Sequence, residues 1–191
     1  MKKLIQQGEY LGGQCLVAMP LMSDPHFAKA VVYICTHTPA GAMGLVLNRT
    51  IDAITFPDLL EQLGIQVTPV CRGIHVHFGG PMEGGRGFVL HSADYMHEAT
   101  IMVDRHVGLT ATIDVLKAIA DGHGPRRSIL ALGYAGWRSG QLDDELRQNV
   151  WLTVPPDEEL VFGGDLDHKW DQAMTRLGID SRMLSREFGH A

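Results

Sequence analysis

No C-x-x-C pair occurs in this chain of 191 residues, and cysteine itself is scarce: Cys15, Cys35 and Cys71, an odd number. Cys15 and Cys35 sit inside apolar runs, the pattern of buried reduced thiols, which argues against a disulfide framework, a redox pair or a zinc ribbon. No apolar run approaches the roughly 20 residues that a membrane span needs. The first ten residues, MKKLIQQGEY, break their apolar stretch at Gln6, Gln7 and Glu9 and do not read as a signal peptide. Positive charge is in deficit, 16 Lys+Arg against 22 Asp+Glu for a net charge of -6. That balance weighs against broad binding to nucleic acid or to an anionic membrane, both of which need clustered cations. The expectation is a cytoplasmic protein with no membrane contact.

The familiar catalytic signatures are missing too. There is no Walker A lysine loop. Gly80–Gly87 is glycine-rich, yet it does not match G-x-G-x-x-G and a strand follows it, so the helix N-terminus that would hold a pyrophosphate is absent and a hairpin turn is expected. No G-x-S-x-G exists; Gly136-Trp-Arg-Ser139-Gly140 has the wrong spacing, and Ser139 reads as a helix cap. Ser92 beside His91 could be drawn into a dyad only by geometry that one sequence does not show. Ten histidines invite a metal reading, and His75 and His77 share one face of a strand. His97-Glu98 lacks the second histidine of H-E-x-x-H, and a site needs about three or four convergent ligands, so no metal and no cofactor are expected. The C-terminus comes nearest to a helix-turn-helix, through Leu177-Gly-Ile-Asp180 and Ser181–Phe188. From Asp165 onward, however, Lys169, Arg176, Arg182 and Arg186 face Asp165, Asp167, Asp171, Asp180 and Glu187, a poor background for phosphate contacts.

What is present reads as one domain over residues 1–191. Hydrophobic residues make up 45% and charged residues 20%, globular values that exclude a disordered chain. Strands are expected at Gln14–Met19, Val31–Cys35, Ala42–Leu47, Arg72–Phe78, Gly87–His91, Thr100–Asp104, Ser128–Leu132 and Val150–Val154. Gly44 lies among apolar residues, which predicts a second backbone packed close to it. Thr55-Phe-Pro-Asp58 fits a capping box, opening a helix with Leu59, Leu60 and Leu63 inward and Gly64 at its end. A second helix is expected over Leu109–Asp121, with Ile113, Leu116 and Ala120 inward and Gly122 ending it. A third should run from Ser139 to about Asn149, its positive end complemented by Asp143, Asp144 and Glu145. The last carries the Trp170, Ala173, Met174, Leu177 stripe, closed by Gly178; Leu184 belongs to a short terminal turn or helix. Gly133-Tyr-Ala-Gly-Trp137 reads as a constrained turn. Strands come first in a run and then alternate with helices, so the sheet mixes antiparallel hairpins with crossover connections.

Seven residues stand out as binding candidates. Asn48 and Arg49 end a strand; Asn48 also fits a cap or turn, and Arg49 an ion pair with an internal carboxylate. They could hold an anionic group while His91 transfers a proton. Gly80 lies in a glycine corner whose backbone could contact a ligand. Tyr134, Trp137 and Gln141 are expected to line a strand-to-helix junction and form one wall of the principal cleft, although a packed corner would use the same residues. No residue is assigned as catalytic.

These residues, in this order, resemble the AlgH/YqgE family of bacterial proteins. The resemblance rests on Leu16-Val-Ala-Met-Pro20 with Asp24, Phe27 and Val31-Val32; on Gly41-Ala-Met-Gly-Leu-Val46 with Asn48; and on Gly79-Gly-Pro81 followed by Gly87-Phe-Val-Leu-His91. It continues through Gly133-Tyr-Ala-Gly-Trp137, Gly140-Gln-Leu142, Trp151, Trp170-Asp171, Leu177-Gly-Ile-Asp180 and Gly189-His-Ala191. The departures are small: Lys29-Ala30 where the family commonly has Arg-Ser, Thr50 where Pro is common, and Asp143 where Glu is common. The resemblance implies a mixed α/β fold whose sheet rolls into a pseudo-barrel, with helices packed outside, in a bacterial cytosolic protein. Some members are labelled transcriptional regulators of alginate synthesis. No DNA-reading element supports direct regulation here, so the role implied is indirect. The function expected is therefore non-enzymatic binding of a protein partner or small ligand. The alternatives are an enzyme using Asn48, Arg49 and His91, and a direct DNA-binding regulator.

Overall fold

A computed structural model of the chain describes residues 10–187. The reading of residues 1–9 as no leader, and the family motif at Gly189-His-Ala191, lie outside the described residues. Fold construction starts at β1 (Cys15–Ala18) and β2 (Val31–Thr38), which pair antiparallel. Both are near-continuous apolar runs, because both faces are covered. Cys15, Val17, Val31, Tyr33 and Cys35 point into one core, while Leu16, Ala18, Val32 and Ile34 point into another. That is the period-2 alternation of a strand buried on two sides.

From this centre the sheet grows in both directions. On one side β1 pairs with β9 (Trp151–Val154). On the other, β2 pairs with β3 (Gly41–Val46), β3 with β8 (Ser128–Arg138), β8 with β5 (Met82–Ser92), β5 with β7 (Val107–Thr110) and β7 with β6 (Ile101–Met102). These pairs are antiparallel; β4 (Val76–Phe78) adds one parallel pair along Leu130–Leu132 of β8. The fold is mixed α/β, an antiparallel sheet curled into a half-barrel with helices around it. Helices α1 (Phe56–Gln62) and α2 (Ile113–Ala120) cover a cluster that includes Phe56, Leu60, Val89, Val115, Ile119 and Leu130. Helix α3 (Gln141–Arg147) covers the face bearing Trp137 and Trp151. Helices α4 (Glu158–Phe162) and α5 (Lys169–Arg176) contribute Leu160, Val161, Trp170, Ala173 and Met174 to the core inside the curl, and α6 (Ser181–Glu187) follows them.

Local signals held where they act over a few residues. Thr55 and Asp58 form the capping box, and Gly64, Gly122 and Gly178 end their helices in the left-handed region at φ of 70°, 78° and 74°. Gly44 does sit against another backbone: a Cβ there would lie 2.8 Å from the Tyr33 carbonyl oxygen. Helix faces were less well placed. Leu63 is 40% and Ile113 45% exposed, and Phe56 and Val115 take the inward positions instead.

Several expectations are corrected. Gly133–Trp137 is no turn but lies within β8, which continues from Ser128 to Arg138. Its glycines answer to a crossing rather than a reversal. The chain leaves β4 on one edge of β8 and becomes β5 on the other, passing over β8 through Gly79-Gly80-Pro81. The two backbones nearly touch: a Cβ on Gly80 would lie 2.1 Å from the Tyr134 carbonyl carbon, and one on Gly133 2.4 Å from the Gly80 oxygen. Side chains are sterically excluded at both positions. The segment Leu109–Asp121 divides into the end of β7 and the whole of α2, because Val107–Thr110 finds strand partners in β5. The strand expected at Arg72 begins only at Val76, after a 3-10 helix at Pro69–Gly73. The strand expected over Thr100–Asp104 shrinks to Ile101–Met102. Ser139 does not cap α3; Gly140 precedes the helix at φ 74°, and the Ser139 hydroxyl donates to the Pro39 carbonyl at 2.6 Å. Helix α4 adds an element to those expected from the sequence. Its cap is Asp157, whose carboxylate accepts from the Leu160 N–H at 2.8 Å.

Candidate functional site

Asn48 and Arg49 leave β3 and reach back to the loop before β2. The Asn48 side chain accepts from Val31 N–H at 2.9 Å and donates to the Lys29 carbonyl at 2.8 Å. The Arg49 guanidinium donates to the carbonyls of Pro25, His26 and Ala28 at 2.5–2.8 Å. Together they staple residues 25–31 to the sheet. A residue such as Lys29, held at φ 53°, is tolerated there because this network over-determines the loop.

His91 lies elsewhere, fully buried on β5 against Gly108 of β7, where a Cβ would be 2.8 Å from the ring. Nδ1 is 2.9 Å from the Ser92 carbonyl and Nε2 is 2.8 Å from the Thr110 hydroxyl, which in turn lies 2.8 Å from the Thr100 hydroxyl. A carbonyl only accepts, so the tautomer with its proton on Nδ1 satisfies this chain, Thr110 donating to Nε2. The hydrogen bonds of His91 are separate from those of Asn48 and Arg49, and none of the three lines the cavity described below.

The Tyr134–Gln141 corner also resolves into two surfaces. Tyr134 and Trp137 are three positions apart on β8 and face opposite sides. Tyr134 packs edge-on against Phe88, with ring centroids at 5.9 Å, and Trp137 is buried against Trp151 at 5.9 Å. One carboxylate organises the second surface. Glu145 Oε2 accepts from the Trp137 and Trp151 indoles at 2.9 and 2.7 Å, and Oε1 accepts from the Gln141 amide at 2.9 Å. The Gln141 carbonyl oxygen caps the Arg138 N–H at 3.0 Å. Gly80 serves the crossing over β8. Tyr134 thus faces away from Trp137 and Gln141, and none of the three lines the cavity described below. Of the three acidic residues expected to serve the helix end, Glu145 is the one that turns inward.

A concavity is lined by none of these residues: a cavity of about 550 Å³ where the end of β5, the β6–β7 turn and α4 meet. Ala93, Val107, Pro156, Val161 and Phe162 form its apolar wall; Ser92, Asp94, Asp104, His106, Arg126, Asp157 and Glu158 supply the polar one. Each carboxylate is oriented. Asp94 accepts from the Ser92 hydroxyl and from Arg126 N–H at 2.9 Å. Asp157 caps α4 and pairs with Arg176 at 2.6 Å, and Glu158 holds Arg126 and Arg127 at 3.1 and 3.2 Å. Asp104 accepts from the N–H groups of His106 and Val107 at 2.6 and 2.9 Å and from the buried Tyr33 hydroxyl at 3.1 Å. Burial, then the Asp104 charge, pushes the Tyr33 phenol up, so it remains a donor. No sequence motif marked these residues. They come from turns and helix starts scattered along the chain, where Asp and Ser serve ordinary capping roles.

Other polar groups are buried outside this cavity. His77 faces the interior with Nδ1 lacking a hydrogen-bond partner, and burial pulls its pKa down to about 4. Lys169, only 1% exposed, donates to the Leu160 carbonyl at 2.7 Å at the end of α4, and burial pulls its pKa down to about 8. Burial raises the thiols of Cys15 and Cys35 to about 12. A thiol so raised stays protonated and is a poor nucleophile. Among the described residues, no three or more His, Cys, Asp or Glu converge in a metal-binding group, and no helix is long and apolar enough to cross a membrane.

The chain was compared with known proteins. A family model described as AlgH-like matches residues 15–182. A UPF0301 protein of Rhodospirillum rubrum is 59% identical over 192 residues, covering 100% of both chains. One from Rhodopseudomonas palustris is 51% identical over 195 residues, covering 98% of this chain and 89% of the relative. The solution structure of AlgH from Pseudomonas aeruginosa superposes with a TM-score of 0.78 at 39% identity, covering both chains completely. A crystal structure of protein DIP2367 from Corynebacterium diphtheriae shares the fold at a TM-score of 0.71 and 20% identity, over 90% of each chain. These relatives are bacterial, and their names state no activity. By the extent of the family match and of the identity to its relatives, this chain belongs to the AlgH-like, UPF0301 family.

Proposed function

We propose that the protein is a cytoplasmic, non-enzymatic binding protein whose small-ligand site is the cavity between the end of β5, the β6–β7 turn and α4. The observation that carries this reading is the cavity itself. Its volume of about 550 Å³ lies within the range of small-molecule sites, roughly 300–1,000 Å³, and it has the apolar wall and few placed polar groups that such sites share. The groups best suited to chemistry are engaged elsewhere: Asn48 and Arg49 with backbone, His91 with Ser92 and Thr110. Any influence on gene expression is then indirect, through the bound state of the protein. The helix pair at the C-terminus supports that view. Among the side chains described there, Lys169 is buried, Arg176 pairs with Asp157 and Arg182 with Asp180, and these pairings compete with any phosphate.

The test is retention of a ligand from a bacterial metabolite extract, read by native mass spectrometry of the desalted protein. Ala93→Phe, which projects a ring into the cavity from a half-buried position, serves as the control. Compounds retained by the parent chain and lost by the variant are expected. If nothing is retained, or if retention is the same in the variant, the cavity is not the site. Turnover of ester, phosphate or peptide substrates that disappears with one polar substitution would replace the non-enzymatic reading.

A further inference from the structure

We infer that the ligand of this cavity carries a positively charged head, received by Asp104, and an apolar body lying against Val107, Val161 and Phe162. The inference rests on the binding reading above and names the ligand class. It follows from comparing what holds each carboxylate of the wall. Asp157 has the Arg176 guanidinium at 2.6 Å, and Glu158 has those of Arg126 and Arg127 at 3.1 and 3.2 Å. Asp94 lies in the field of Arg126, whose N–H it also accepts. Asp104 differs. Its three donors, two backbone N–H groups and a phenol, are all neutral. They fix the direction of the carboxylate without cancelling its charge.

That arrangement is preorganised for a cation. Neutral donors orient the carboxylate, so no reorganisation is needed when a charged partner arrives, and a carboxylate with three bonds still has a free lone-pair site. The site is neither an exposed acidic patch nor a metal cage. Apolar side chains on β7 and α4 form the adjoining surface, and they favour a hydrocarbon or aromatic body over a bare ion. The Arg126 guanidinium at the rim is already paired with Glu158, so an anionic head would have to compete with that pair and meet the Asp104 charge as well. A primary alkyl or aralkyl amine, or a guanidinium such as the side chain of a peptide arginine, satisfies both walls.

The experiment uses isosteric series on the full chain: hexylamine, hexanol and hexanoate, and benzamidine, benzamide and benzoate. Binding is read from the backbone amide shifts of Ala93, Val107 and Val161. The cations are expected to bind saturably, about tenfold or more tighter than their neutral partners, as one charged hydrogen bond provides. Asp104→Asn should remove that preference, while Asp121→Asn, which removes the same charge from an exposed position outside the cavity, should retain it. Because the comparison of cation with neutral isostere is made on the parent chain, it stands even if Asp104→Asn fails to fold. Equal binding of the neutral or anionic members at the same amides overturns the cationic class and leaves the cavity reading intact. No saturable shift from any member at those amides overturns the inference, and in that case retention from the extract decides the cavity reading separately.

Discussion

Trp137 and Trp151 donate their indole N–H groups to the same carboxylate oxygen, Oε2 of Glu145, at 2.9 and 2.7 Å. One residue lies on β8 and the other on β9, strands separated in the sheet by β3, β2 and β1, so Glu145 ties two distant strands to one helix. The rings meet edge to face at 5.9 Å, a favourable aromatic geometry.

Removing that acceptor leaves two buried indole N–H groups without partners. Each such loss costs about 1–3 kcal/mol, so Glu145→Ala is expected to lower unfolding stability by about 3 kcal/mol in a urea titration. Glu145→Gln retains one carbonyl acceptor but faces the Gln141 amide with its own NH2, and should lose less. Equal stability of Glu145→Ala and the parent chain would show that the indole bonds contribute nothing net.

The crossing over β8 makes a contrasting pair of glycines. Gly80→Ala brings a Cβ to 2.1 Å from the Tyr134 carbonyl carbon at φ 155°, and the backbones must part. We expect a loss of about 3 kcal/mol or more, or no folded protein. Gly84→Ala meets nothing within 4 Å and has no left-handed φ, and its stability should stay within about 0.5 kcal/mol of the parent. Thermal unfolding of the two variants side by side distinguishes a steric requirement from a general tolerance of this glycine-rich stretch.

Arg49→Met should act locally. Its guanidinium bonds three carbonyls of one loop, so amides at residues 26–30 are expected to exchange hydrogen faster. Those of β5 and β8 should keep their protection, since loop opening and global unfolding are separate events. Faster exchange throughout the sheet would assign Arg49 a role in the core instead.

His77 makes stability depend on acidity. Its folded pKa, about 4, lies below the ordinary 6.5. Between those values the unfolded chain binds the proton more readily, so stability falls as pH is lowered through that window. The full shift corresponds to about 3 kcal/mol. His77→Gln should flatten this part of the stability profile between pH 7 and 4; an unchanged slope would assign it to other groups.

The sequence by itself determined whatever depends on near neighbours along the chain. Thr55 and Asp58 cap α1 from three residues apart, Gly64, Gly122 and Gly178 terminate their helices, and the unbroken apolar runs around Val17 and Val32 mark strands buried on two faces. Its motifs, in order, also carried the family. Only the tertiary structure decided what the polar and glycine positions are for. Gly133 reads as part of a turn until Gly80 is placed against it. Asn48 and Arg49 look like an anion site until the carbonyls of residues 25–29 are seen around them. Asp104 reads as the end of a strand until Tyr33, 71 positions away, donates to it in the wall of a cavity. A cap or a helix stop is closed by bonds spanning a few residues and leaves a pattern in the chain. A close backbone approach, a shared acceptor or an uncancelled charge depends on residues that meet only when the sheet curls, and no local pattern encodes that meeting.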